Sequence, residues 1–128
     1  MSSTKTQFLD RIKPGCYLAW QKVGILPSVA AAQTILESGW GKSTLASQHN
    51  NYWGVKSFNP SEPRVAMTTK EHYGGRVVTI VAYFRKYASI EDGFANGYAK
   101  TLGNQRYKKA WGVKDARTQI TYIKQAGY

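Results

Sequence analysis

Acidic side chains are scarce in this 128-residue chain, seven Asp and Glu against eighteen Lys and Arg, so each can be weighed for chemistry. Asp10, Asp92 and Asp115 read as surface or helix-start charges, and Glu62 lies in the loop from Pro60 to Pro63. Glu37 differs. On a helical wheel it falls at the margin of the stripe formed by Val29, Ala32 and Leu36, with Gln33 one turn before it, at a rim between core and cleft. It also occupies the last turn of its helix, where the negative end of the macrodipole and partly apolar surroundings both disfavour an ionised carboxylate. A carboxyl that stays protonated near neutral pH is what a general acid requires. The alternative is a carboxylate neutralised by one of the many cations.

Other chemistries find no support. Gly41-Lys42-Ser43 resembles the end of a phosphate-binding loop, but Leu36 stands where that loop needs its first glycine, and a helix precedes it instead of a strand. His49 and His72 lie far apart with no paired-cysteine or HExxH spacing, so no metal or other cofactor is implied. No nucleophile elbow frames a serine. Cys16, the single cysteine, has no base near it in sequence and reads as a small apolar helix residue; alone it excludes an internal disulfide.

The elements that must position Glu37 are mostly helical. The pattern predicts a short helix from Thr6 to Ile12 and a second from Gly15 to Val23 with Pro14 at its start. A third runs from Pro27 to Ser38 and is stopped by Gly39, and a short helical turn spans Ser43 to Gln48 before the loop Asn50 to Gly54. Between Val65 and Phe84 β-branched and aromatic residues flank Gly74-Gly75, a β-hairpin signal. Ser89 with Asp92 makes a capping-box-like start for a helix carrying Phe94, Tyr98 and Leu102, closed by Gly103. Gly93 and Gly97 on that helix read as close-packing positions. Helical segments at Arg106 to Trp111 and Ala116 to Ala126 complete an α+β arrangement: a mainly helical lobe, a small hairpin lobe and a cleft between them.

The length fits one domain, residues 1–128. No apolar run approaches the roughly 20 residues of a bilayer-spanning helix, and the polar start, Met1 to Lys5, lacks the apolar stretch of a secretion signal. The net charge of +11 calls for a polyanionic partner: nucleic acid, an anionic membrane surface or an acidic wall polymer.

One long run narrows this choice. Ile25-Leu26-Pro27-Ser28-Val29, Ala32-Gln33, Leu36 to Ser43 (Leu-Glu-Ser-Gly-Trp-Gly-Lys-Ser) and Asn50 to Lys56 (Asn-Asn-Tyr-Trp-Gly-Val-Lys) resemble the signature of peptidoglycan-cleaving endo-β-N-acetylglucosaminidases, glycoside hydrolase family 73. Thr69-Lys70-Glu71, Phe84 to Tyr87 and Arg106 to Trp111 resemble the same family's hairpin and later helices in the same order. The resemblance implies a lysozyme-like α+β fold and hydrolysis of the bond between N-acetylglucosamine and N-acetylmuramic acid. It makes Glu37 the general acid and Glu71 the second acid, set at the start of a hairpin strand across a wide gap. Tyr107 matches a cleft tyrosine whose hydroxyl orients the acetamido group or water. Trp40, Tyr52, Trp53 and Tyr98 become candidates for sugar-face contacts, about half of them expected to be core instead, and Asn51 either bonds the glycan or braces its loop. The implied partners are peptidoglycan glycan strands and anionic wall polymers, with no nucleic acid and no membrane insertion, for a monomer acting at the bacterial wall. A muramidase or lytic transglycosylase of the same superfold is the alternative enzyme, and a cationic wall-binding module the alternative without catalysis.

Overall fold

The computed structural model describes residues 4–128; Met1, Ser2 and Ser3, part of the polar start, lie outside the described residues. The first element corrects an expectation. Instead of two helices meeting at Pro14, one helix, α1 (Thr4–Val23), runs straight through it. Proline there removes one backbone hydrogen bond. However, Phe8, Ile12, Cys16 and Ala19 form a single buried stripe across the break, and the Pro14 ring sits on the exposed side. Tertiary packing overrides the local penalty.

Helix α2 (Pro27–Ser38) starts at Pro27 and ends at Gly39, as its punctuation requires. Helix α3 (Thr44–His49) is capped by the Ser43 hydroxyl, which accepts from the Ala46 N–H at 3.2 Å. The hairpin pairs β1 (Arg64–Tyr73) with β2 (Arg76–Arg85), from Arg64 opposite Arg85 to Tyr73 opposite Arg76. Gly74 (φ 52°) and Gly75 (φ 78°) form the two-residue turn, both left-handed as a type I′ hairpin needs.

The next helical run comprises α4 (Ile90–Gly93), a π turn (Phe94–Tyr98) and α5 (Ala99–Leu102). The Ser89 hydroxyl accepts from the Asp92 N–H at 3.0 Å, while Asp92 reaches back to the Ala88 N–H at 3.0 Å. The two glycines do serve close packing: a Cβ on Gly93 would lie 2.6 Å from the Asn50 carbonyl oxygen, and one on Gly97 would lie 2.7 Å from the Tyr87 hydroxyl. A 3-10 turn (Gln105–Ala110) leads to α6 (Ala116–Gln125).

An aromatic chain fills the helical lobe. Trp40 packs on Phe8, Phe8 on Tyr52, Tyr52 on Trp53, and Trp53 on both Phe94 and Tyr98, with centroid separations of 4.9 to 6.1 Å. One buried amide ties the turn between α1 and α2 to α6. Gln119 on α6 accepts from the Leu26 N–H at 2.8 Å and donates to the carbonyls of Gly24 and Ala110, both at 2.9 Å. This clamp lays α6 against α2, beside Glu37.

Candidate active site

The turn after α2 is built by the residues that surround Glu37. Ser38 is buried; its hydroxyl donates to the Thr34 carbonyl at 2.5 Å and accepts from the Gly41 N–H at 2.9 Å. Thr34 in turn accepts from the Trp53 indole N–H at 3.0 Å. Gly39 (φ 57°) closes the helix in the left-handed region, returning its N–H to the Ile35 carbonyl. Trp40 shares that conformation (φ 60°) and packs against Phe8. Gly41 (φ 77°) leaves room for the Phe8 ring, which a Cβ there would meet at 2.5 Å. Every residue from Ser38 to Gly41 therefore has a structural task. Glu37 has none: it is exposed and takes no hydrogen bond or ion pair among the described residues. The partly apolar surroundings expected from sequence lie beside the carboxyl, not over it.

Those surroundings are a cavity of about 120 Å³ lined by Ala32, Gln33, Leu36, Glu37, Ile120, Lys124 and Tyr128. Leu36, a helix residue next to Glu37, is 81% exposed. The Tyr128 hydroxyl is buried without a hydrogen-bond partner among the described residues. Burial first, then the charges of Glu37 and Tyr107, push its pKa up, so it stays a neutral donor. Tyr107 is buried, does not line the cavity, and holds its ring edge-on to Tyr128 with centroids 6.4 Å apart. Tyr98, also buried, donates its hydroxyl to Gln33 Oε1.

Glu71 belongs to the other lobe. It is the partner of Val78 near the turn end of β1, not at the start of a strand, and it forms an ion pair with Lys56 at 3.2 Å. No hydrogen bond or ion pair joins it to Glu37 among the described residues. The base of the hairpin is fixed more firmly. Asn51, buried, donates to the carbonyls of Val55 and Arg85 and accepts from the Val55 N–H, each at 3.0 Å. Arg85 meets Glu62 through two nitrogens at 3.1 and 3.0 Å, and Ser57 donates to Glu62 at 2.6 Å. The Ser57 hydrogen bond, followed by that of Arg85, holds the Glu62 carboxyl below the usual carboxylate range.

Of the residues weighed for glycan contact, Asn51 braces its loop, and Tyr52, Trp53 and Tyr98 are buried in the aromatic core. Trp40 keeps a partly exposed ring, with the Lys5 ammonium 4.9 Å from its centroid. Sequence reasoning missed Tyr128, Ile120 and Lys124, which the packing of α6 and the residues after it against the helical core brings to α2. It noted Gln33 without giving it a role.

Comparison with known proteins adds identity to this geometry. The glucosaminidase family model, described as mannosyl-glycoprotein endo-beta-N-acetylglucosaminidase, matches residues 13–128. The chain belongs to that family. It is accordingly a glycoside hydrolase. The exo-glucosaminidase LytG of Bacillus subtilis is 33% identical over 126 residues, covering 94% of this chain and 44% of LytG. A probable N-acetylmuramidase of Lactococcus lactis is 38% identical over 118 residues, covering 88% of this chain and 27% of the relative. The chain thus spans less than half the length of these family relatives. A C-terminally truncated glycoside hydrolase domain of FlgJ from Salmonella typhimurium superposes with a TM-score of 0.78 at 29% identity, covering 98% of this chain and 86% of that one. The helical lobe with its two-stranded sheet is the lysozyme-like arrangement of such domains.

Proposed function

We propose that this glucosaminidase-family chain is a bacterial cell-wall hydrolase that cleaves the β-1,4 bond between N-acetylglucosamine and N-acetylmuramic acid in peptidoglycan, with Glu37 as general acid. The observation that carries this reading is the division of labour in Glu37-Ser38-Gly39-Trp40-Gly41: the last four hold the turn, and the first is exposed, unpaired and beside a cavity. Glu37 gives its proton to the departing glycosidic oxygen as the bond to the anomeric carbon breaks, and bound glycan supplies the cover that the free carboxyl lacks. Positive charge developing on the sugar is met by water or by the substrate's own 2-acetamido oxygen, because Glu71 stands in the other lobe with Lys56 as its partner. Tyr107 acts through Tyr128, whose ring it supports beside Glu37. Trp40 offers an apolar face to a sugar, and the +11 charge favours anionic wall polymers around a monomeric enzyme.

Glu37→Gln keeps the shape and removes the proton. It is expected to lower peptidoglycan cleavage by about 100-fold to 10,000-fold, with the circular dichroism spectrum unchanged; near-normal turnover by the folded variant overturns the assignment. The relative named as a probable N-acetylmuramidase favours a second reading, cleavage of the other glycan bond. Mass spectrometry of the released ends separates the two: reducing N-acetylglucosamine supports the first, and reducing muramic acid the second.

A further inference from the structure

Gln33 lies one turn before Glu37 on α2 and lines the same cavity. Its side chain is oriented from behind. Tyr98 is 1% exposed, and its hydroxyl has Gln33 as its hydrogen-bond partner. A buried phenol must place its hydrogen on an acceptor. Gln33 Oε1 is the acceptor, and this decides which way the amide faces: the oxygen points inward to Tyr98 and the NH2 group is turned away from it. Among the described residues that NH2 finds no acceptor. The Tyr98 ring cannot swing to release the amide, because Trp53 and Phe94 pack on it at 5.6 and 6.0 Å.

The remaining walls have complementary chemistry. Ala32, Leu36, Ile120 and the Tyr128 ring are apolar, while Glu37, Lys124 and the unpartnered Tyr128 hydroxyl are polar, around a volume of about 120 Å³. A short branch with a methyl group and a carbonyl oxygen fits both features: the methyl lies among the aliphatic groups, and the oxygen accepts from a donor already aimed. We infer that this cavity is a recognition pocket for an acetamido group of the glycan, with the Gln33 NH2 donating to its carbonyl oxygen and Tyr98 holding Gln33 in that orientation. Gln33 is thereby a substrate-binding residue and Tyr98 a positioning residue. On a substrate-assisted route a carbonyl held by this donor is not the one that attacks, so the pocket takes the acetamido group of the neighbouring sugar.

This inference rests on the glycan-cleaving reading and is tested by binding, so that the two can fail separately. In a Glu37→Gln background that leaves glycan uncut, the affinity for fully N-acetylated and fully N-deacetylated N-acetylglucosamine oligomers is measured by calorimetry, with and without Gln33→Met. Met is as neutral as Gln, so repulsion between the free amines and this basic chain cancels from the comparison. Gln33→Met is expected to weaken binding of the acetylated oligomer about 10-fold to 100-fold, the loss for a hydrogen bond left unmade, and to change binding of the deacetylated oligomer less than about threefold. Equal losses on both oligomers, no loss on either, or no binding of the acetylated oligomer in the background chain overturns the inference. Should Gln33→Met fail to fold because the Tyr98 hydroxyl is left unpaired, the double variant Gln33→Met, Tyr98→Phe removes both partners and is held to the same outcomes. Tyr98→Phe alone keeps the donor and frees its orientation, and its loss is expected to be smaller and again confined to the acetylated oligomer. Failure of the hydrolase reading appears elsewhere, as undiminished cleavage by Glu37→Gln.

Discussion

The ends of α2 and β1 each carry one carboxylate, and the two differ in how the chain holds them. Around Glu37, a buried serine, two left-handed glycines and an indole hydrogen bond determine the backbone, while the carboxylate itself is left unengaged. Around Glu71 the backbone has one neighbouring strand and the turn close by, while the carboxylate is paired with Lys56. A hairpin of two strands is marginal on its own in water, and this one is anchored at its base through Asn51, Arg85 and Glu62. The first carboxylate is thus presented by a rigid support. The second is free to approach bound glycan only by movement of its lobe.

The contrast is broken most directly by Gly41→Val. A side chain there adopts a strained φ and collides with Phe8, so the variant is expected to lose about 3 kcal/mol or more in urea unfolding, together with its activity. Glu71→Gln tests the looser region. On the wide-gap mechanism it slows turnover by about tenfold, far less than Glu37→Gln, and azide yields no retained glycosyl azide; equal losses for the two variants place both acids in one catalytic step. Glu62→Gln acts on the hairpin base. A carboxyl held below its unfolded value stabilises above that value and loses the contribution as pH falls through the lowered one. The wild-type melting temperature is therefore expected to fall more steeply than that of Glu62→Gln on acidification through the carboxylate range. Lys56→Met is the mildest change. The pair with Glu71 is partly exposed, and its loss is expected to cost less than about 0.5 kcal/mol by thermal unfolding.

Much of this contrast was legible in the residues. Pro27 and Gly39 delimit α2, and Gly74-Gly75 can only be a tight turn. The core stripe drawn through Val29, Ala32 and Leu36 was misplaced, since Leu36 is 81% exposed and α2 buries Val29, Ala30, Thr34 and Ser38. The continuity of α1 was not legible, because proline is a local signal and the stripe of Phe8, Ile12, Cys16 and Ala19 acts through partners elsewhere in the chain. Nor does an aromatic residue type reveal whether its ring will face a ligand or another ring. Asn51, Tyr52 and Trp53 occupy a conspicuous motif and Tyr98 lies on a later helical run, yet the fold uses all four internally. Tyr128 could not be assigned from its neighbours in sequence, since its place beside Glu37 depends on where α6 lies against α2.

The Gln119 amide has a consequence for biosynthesis. It joins Gly24 and Leu26 to a helix more than ninety residues later, so contacts that are local in space are remote along the chain. Remote contacts cost loop-closure entropy and slow folding. During translation α1 and α2 emerge long before α6, and until Gln119 has cleared the ribosome the Leu26 N–H lacks its partner. The helical lobe therefore acquires its final order only once α6 has emerged, and the cavity beside Glu37 waits for that helix.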